Sequence, residues 1–189
     1  MSVDRATEAG RVVVSTTING RPTELTPRPW HTLFDTLRDE AHLFGVREGC
    51  GVGMCGACTV LIDGEQVSSC LVLAPAVEGR SITTVEGLVG ESGELSDVQQ
   101  AFVDHTAFQC SYCTPGFVLA AGRLADEHPD ATRDEIRHYL AGNLCRCGSY
   151  VKILDAVVDL LDRRKGETAG GSRVRAARRV ACDDTEECR

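Results

Sequence analysis

Residues 45–59, GVREGCGVGMCGACT, place Cys50, Cys55 and Cys58 at C-x4-C-x2-C spacing among five glycines. Neither residue type helps to build an ordinary core. Three thiolates at this spacing, joined by a distant fourth, hold plant-type [2Fe–2S] centres, and Cys70, at the far end of the segment that follows, is placed to fold back as the fourth. The glycines then have a purpose. A thiolate-bound cluster is an anion close to backbone, best stabilised by N–H groups that point inward. Gly49, Gly51, Gly53 and Gly56 give the main chain the freedom to supply them. A structural zinc site is the alternative, although zinc knuckles more often repeat C-x2-C and need no glycine wrapper. A Rieske centre needs two histidine ligands, and His31, His42, His105, His128 and His138 are scattered away from these cysteines.

Working outward, RVVVSTTINGRPTELT at residues 11–26 alternates apolar positions around Asn19-Gly20, a pair suited to the positive φ angles of a tight hairpin. ACTVLIDGEQVSSC, residues 57–70, repeats the pattern around Asp63-Gly64. Between the hairpins, residues 30–44 read as a short helix with Leu33, Phe34 and Leu37 on one face, and SITTVEGL at 81–88 adds a further strand.

The pattern changes after Gly87. A connector, GLVGESGELS, leads into four helical segments. Ser96 with Gln99, and Thr132 with Glu135, read as capping boxes. Thr114-Pro115 reads as an N-cap followed by proline in the first turn. Tyr150, Ile153, Leu154, Val157, Val158 and Leu161 recur at helical spacing as a buried stripe. From Arg163 the chain turns basic, then acidic, and reads as a mobile tail or an arm that wraps a partner.

A second cysteine group lies in the helical half: Cys110 and Cys113 in QCSYCTPGF, Cys145 and Cys147 in NLCRCGSY. Each pair precedes a predicted helix start, so two positive helix ends would face one anion. A second [2Fe–2S] cluster fits, and a four-cysteine zinc site is the alternative. A thioredoxin-like role is disfavoured because the βαβ context is missing. Cys182 and Cys188 remain in the tail and read as free thiols.

Of 189 residues, 42% are hydrophobic and 25% charged, ordinary globular material for one medium domain or two small ones. Two small ones would need stapling, and ten cysteines are available for it. No signal-peptide pattern or membrane-length apolar run is present. The expected location is therefore cytoplasmic, where tight cysteine spacings indicate metal or redox sites rather than disulfides. A net charge of −8 argues against nucleic acid as partner.

Together, EGCGVGMCGACTVLIDG, the SSC ending in Cys70, QCSYCTPGF and GNLCRCGSY resemble the iron–sulfur subunit of the molybdenum hydroxylases, the xanthine dehydrogenase, aldehyde oxidoreductase and carbon monoxide dehydrogenase superfamily. The likeness covers residues 11–163, with eight cysteines in order and spacing. It implies an α+β chain: a β-grasp, plant-ferredoxin-like domain over residues 11–86, a connector at 87–95 and a four-helix [2Fe–2S]-binding domain over 96–165, flanked by an extension at 1–10 and a tail at 166–189. The resemblance implies that Cys50, Cys55, Cys58 and Cys70 hold one cluster and Cys110, Cys113, Cys145 and Cys147 the other. By the same resemblance Gln109 and Cys147 contact a molybdopterin, in its cytosine dinucleotide form, carried by a large partner subunit. Electrons would pass from there through both clusters to FAD in a medium subunit, within a dimer of heterotrimers. The chain itself would have no catalytic residue. A free-standing two-cluster ferredoxin-type carrier is the alternative, and it predicts a fully polar surface around both clusters. One departure stands out: Gly148-Ser149-Tyr150 follows Cys147 where the family has Thr-Gly-Tyr, and Ser149 reads as a helix cap.

Overall fold

A computed structural model describes residues 10–90 and 92–170, with side chains described as far as residue 166. It is a mixed fold with one five-stranded sheet and five α-helices. The strands are β1 (Val14–Ile18), β2 (Arg21–Leu25), β3 (Thr59–Ile62), β4 (Glu65–Ser68) and β5 (Ser81–Thr83), in sheet order β2-β1-β5-β3-β4. Both hairpins form as their turn residues require. Asn19 and Gly20 have φ of 50° and 77°, Asp63 and Gly64 52° and 87°, values that lock β1 to β2 and β3 to β4. β5 joins the hairpins, running parallel to β1 and antiparallel to β3.

Helix α1 (Leu33–Asp39) packs Leu33 and Leu37 under the sheet with Val14, Val60 and Ile82. It is shorter than the segment 30–44 that periodicity suggests. A reciprocal Thr32–Asp35 capping box starts it, and the chain leaves helix at Glu40, whose carboxylate is committed to the Thr26 N–H at 2.7 Å.

The helices that follow β5 are α2 (Asp97–Asp104), α3 (Thr114–Glu127), α4 (Arg133–Tyr139) and α5 (Tyr150–Gly170). Their shared core holds Phe102, Phe117, Leu124, Ile136, Ile153 and Leu160 and is separate from the sheet's core. The capping boxes at Ser96–Gln99 and Thr132–Glu135 both form. Three sequence readings need correction. Cys113, not Thr114, is the N-cap of α3, because Thr114 is already helical and Pro115 sits inside the first turn. Tyr150 is exposed, and the buried face of α5 runs through Ile153, Ala156, Val157, Leu160 and Leu161. Finally, α5 continues past Arg163, where the sequence suggests a tail. Arg163 pairs with Asp104 at 2.8 Å, and Arg164 with Asp97 at 2.6 Å and Asp126 at 2.7 Å. These ion pairs, like the one between Lys165 and Asp130 at 3.3 Å, give polar residues a reason to stay helical. Cys182 and Cys188 lie outside the described residues.

Polar bonds join the two cores. Gln66 donates to the Tyr139 hydroxyl at 2.6 Å, Arg123 meets Glu65 at 2.9 Å, and the Tyr112 hydroxyl donates to the Glu48 carbonyl at 2.6 Å. Arg47 reaches across to the Ser111 carbonyl and lies over the Tyr112 ring.

Candidate metal centres

The loop between α1 and β3 brings Cys50, Cys55 and Cys58 to one side of the sheet, and a short 3-10 turn at Ser69–Leu71 returns Cys70 to them. Cys50 has Cys55 as its side-chain hydrogen-bonding neighbour and Cys70 has Cys58, while Cys50 also lies within electrostatic reach of Cys70. The inward N–H groups expected of the glycine loop are present. Those of Val52, Met54 and Cys55 point at the Cys50 sulfur, Met54 at 3.2 Å. Led by the Val52 N–H, they lower the Cys50 thiol to about 7. At Cys70, burial acts first and the neighbouring Cys58 second, raising the thiol to about 11.

Gly51, Gly53 and Gly56 have φ of 67°, 73° and 67°, which explains glycine at each. Gly49 does not share that conformation. Its reason is space, since a Cβ there would lie 2.9 Å from the Cys55 sulfur.

The second quartet also divides in two, Cys110 with Cys147 and Cys113 with Cys145. Cys113 stands at the start of α3. Cys145 and Cys147 precede the start of α5, and the Phe117 and Tyr150 rings of those helices meet edge to face. The Tyr112 N–H, followed by Cys147, lowers the Cys110 thiol. Burial and then Cys145 raise Cys113 to about 12. Burial also works against the Cys145 thiolate, but the Ser149 N–H, Cys113 and the Ser149 hydroxyl outweigh it and hold the thiol below its ordinary value.

This donor set suits a two-iron cluster. Each iron of a [2Fe–2S] rhomb takes two protein thiolates, and each quartet presents two pairs. A single zinc ion would draw four sulfurs around one point.

The quartets are neighbours through their own backbone. Leu144 N–H donates to the Cys55 carbonyl at 2.9 Å, and buried Asn143 donates from Nδ2 to the Gly56 carbonyl at 3.0 Å. Gly116, in the first turn of α3, abuts the same carbonyl so closely that a Cβ would lie 2.2 Å from its oxygen. Sequence reasoning misses Asn143 and Gly116 as site residues, although both lie within or beside the cysteine motifs. Gln109 is exposed beside Cys147 and donates to its carbonyl at 3.1 Å. Ser149 does not cap α5: its hydroxyl is buried and has no hydrogen-bond partner.

Two family models match successive parts of the chain. The family described as the 2Fe-2S iron-sulfur cluster binding domain matches residues 16–88, and the [2Fe-2S] binding domain family matches residues 84–158. The chain is 46% identical over 149 residues to the nicotine 6-hydroxylase small subunit of Paenarthrobacter nicotinovorans, an alignment covering 79% of this chain and 89% of that protein. It is 45% identical over 150 residues to the xanthine dehydrogenase iron-sulfur-binding subunit of Escherichia coli O157:H7, covering 78% and 93%.

The chain belongs to the iron–sulfur subunits of the molybdenum hydroxylase family.

Among solved structures, quinoline 2-oxidoreductase from Pseudomonas putida 86 superposes with a TM-score of 0.78 at 44% identity, covering 84% of this chain and 99% of that one. The aldehyde oxidoreductase of Desulfovibrio gigas superposes with a TM-score of 0.76 at 36% identity, where 82% of this iron–sulfur subunit corresponds to 17% of a longer chain. Among the described residues no helix is long and apolar enough to cross a membrane.

Proposed function

We propose that this subunit relays single electrons from a molybdopterin centre in a large partner subunit, through two [2Fe–2S] clusters, to FAD in a medium subunit. Cys50, Cys55, Cys58 and Cys70 hold the cluster of a β-grasp domain spanning residues 11–86. Cys110, Cys113, Cys145 and Cys147 hold that of a four-helix domain spanning 96–165, beyond a connector at 87–95. When bound, each cluster supplies a one-electron redox centre; acid–base and nucleophilic chemistry are not asked of this chain.

The observation that carries the reading is the hydrogen bond from Leu144 N–H to the Cys55 carbonyl. Leu144 is bonded to Cys145, so a continuous path runs from a ligand of one quartet to a ligand of the other. It crosses one hydrogen bond and otherwise follows covalent backbone. Asn143 and Gly116 hold the two loops in that register. At the outer end, Gln109 and Cys147 are exposed side by side, available to a pterin in the large subunit, which we take in its cytosine dinucleotide form.

The surface disfavours a free-standing carrier. Val52, Met54 and Leu71 are exposed around the first quartet, and Tyr112, Leu144, Tyr150 and Val151 around the second. Apolar groups on this scale suit a subunit docked on both sides. We place it in a cytoplasmic dimer of heterotrimers.

The test is quantitative electron paramagnetic resonance on anaerobically purified, dithionite-reduced protein, with iron counted on the same sample. Two distinguishable [2Fe–2S] signals of equal spin count are expected. One signal or none from iron-replete protein would overturn the relay.

A further inference from the structure

Ser149 holds a hydroxyl that the fold has buried and left unused. The residue is 4% exposed, and its Oγ is a buried polar atom without a hydrogen-bond partner. Burying a hydroxyl without a partner is unfavourable, so an acceptor for it is expected when the site is filled. The backbone groups of Ser149 are already spent. Its N–H lies 3.4 Å from the Cys145 sulfur, and its carbonyl accepts the Ile153 N–H at 3.0 Å.

The turn that puts it there is specific. Gly148, at φ 77°, donates its N–H to the Cys145 carbonyl at 3.2 Å and folds residue 149 back over Cys145. The hydroxyl belongs to the same residue whose N–H faces the Cys145 sulfur at 3.4 Å, yet it meets the geometry of no hydrogen bond to the thiol. A thiol sulfur is a weak acceptor; a metal-bound thiolate or a sulfide carries more negative charge and accepts more strongly.

We propose that the Ser149 hydroxyl donates a hydrogen bond to sulfur on the Cys145 side of the helical-domain cluster and so raises that cluster's reduction potential. This rests on the reading of Cys110, Cys113, Cys145 and Cys147 as its ligands. Reduction adds an electron to a centre that is already anionic. A donor to sulfur therefore stabilises the reduced form more than the oxidised form. Ser149 is a positioning residue: it touches the cluster's sulfur shell and neither substrate nor pterin.

The experiment is a redox titration of the iron-replete subunit in its assembled complex, followed by electron paramagnetic resonance, for wild type, S149A and S149T. In S149A the helical-domain signal should titrate at lower potential, its reduction equilibrium moved about tenfold, or ~59 mV for one electron, while the ferredoxin-domain signal stays in place. S149T keeps the hydroxyl and should titrate as wild type does. An unmoved helical-domain midpoint in iron-replete S149A, or S149T shifting with S149A, would overturn the proposal. If S149A loses iron, S149G gives the same comparison without a methyl in the site. Electron–nuclear double resonance in D2O compares wild type with S149A: wild type should show an exchangeable deuteron coupled to the helical-domain signal beyond those of the backbone N–H groups, and identical deuteron couplings in the two proteins would also overturn the proposal. Wild-type complex with half the iron and no helical-domain signal would instead remove the ligand assignment beneath it.

Discussion

Leu144 and Cys55 are joined by a 2.9 Å hydrogen bond from backbone N–H to backbone carbonyl, although 89 positions separate them in the chain. Each adjoins or belongs to a different cysteine quartet, so the bond brings the two candidate centres together without any side chain. Short of proline at position 144, which would remove the donor N–H, substitution leaves the bonding groups in place. Its support can be removed, because both Asn143 and Gly116 press against the Gly56 carbonyl beside it.

Gly116→Ala is therefore expected to separate the quartets. The new Cβ would lie 2.2 Å from the Gly56 carbonyl oxygen, and both sides of that contact are backbone. Overpacking against groups that cannot rotate away costs about 1–3 kcal/mol or more. The urea midpoint should fall, and stopped-flow transfer between the clusters should slow while both electron paramagnetic resonance signals persist. A variant with the wild-type midpoint and rate would show that the loops are not held by this contact.

Cys55→Ser should damage the ferredoxin-domain cluster and spare the other. Cys55 pairs with Cys50, and the second quartet is drawn from residues 110–147 on the other core. Iron should fall by about half, from two irons per lost centre, with the helical-domain signal retained. Loss of both signals together would contradict two locally built sites.

Gln109→Ala should leave iron content near normal yet slow reduction of the clusters by substrate. The side chain is exposed and donates only to the Cys147 carbonyl at 3.1 Å. Removing one exposed hydrogen bond is within about 1 kcal/mol of stability, so a large kinetic effect would have to come from the pterin contact. Unchanged rapid-reaction kinetics would remove Gln109 from that contact.

What could be read in advance follows a physical line. Cys50, Cys55 and Cys58 were legible because ligand spacing is a local property, as were the hairpins at Asn19-Gly20 and Asp63-Gly64, whose turn residues adopt positive φ unaided. Gly116 and Asn143 were not, since each has its meaning only against Gly56, far off in the chain. The end of α5 was misjudged for the same reason. Arg163 and Arg164 look like the start of a polar tail until Asp97, Asp104 and Asp126 are brought beside them. Ser149 has the right residue type for a cap, but Gly148 turns its hydroxyl inward and leaves it unbonded.

The Arg164 ion pairs give a pH dependence whose direction is determined. Arg164 binds Asp97 of α2 at 2.6 Å and Asp126 of α3 at 2.7 Å, tying three helices together at the far end of α5. Burial pushes the Asp97 carboxyl up, but the Arg164 hydrogen bond and charge, helped by the Val98 N–H, leave it below the usual carboxylate range. With the folded value depressed, the unfolded chain binds the proton first as pH falls. The contribution is thus complete above the ordinary aspartate value of about 3.9 and is lost as pH drops through the lower folded value. Asp97 and Asp126 are partly exposed, so solvent screening limits the clamp to about 1 kcal/mol. Asp97→Asn should therefore lower the thermal midpoint at pH 7, keep nearly the same gap from wild type down to about pH 5, and approach wild type only below about pH 4, as the folded carboxyl takes up its proton. Circular-dichroism melts of both proteins across that range are the measurement. Equal midpoints at pH 7, or a gap that widens in acid, would show that the pair does not hold the helices together.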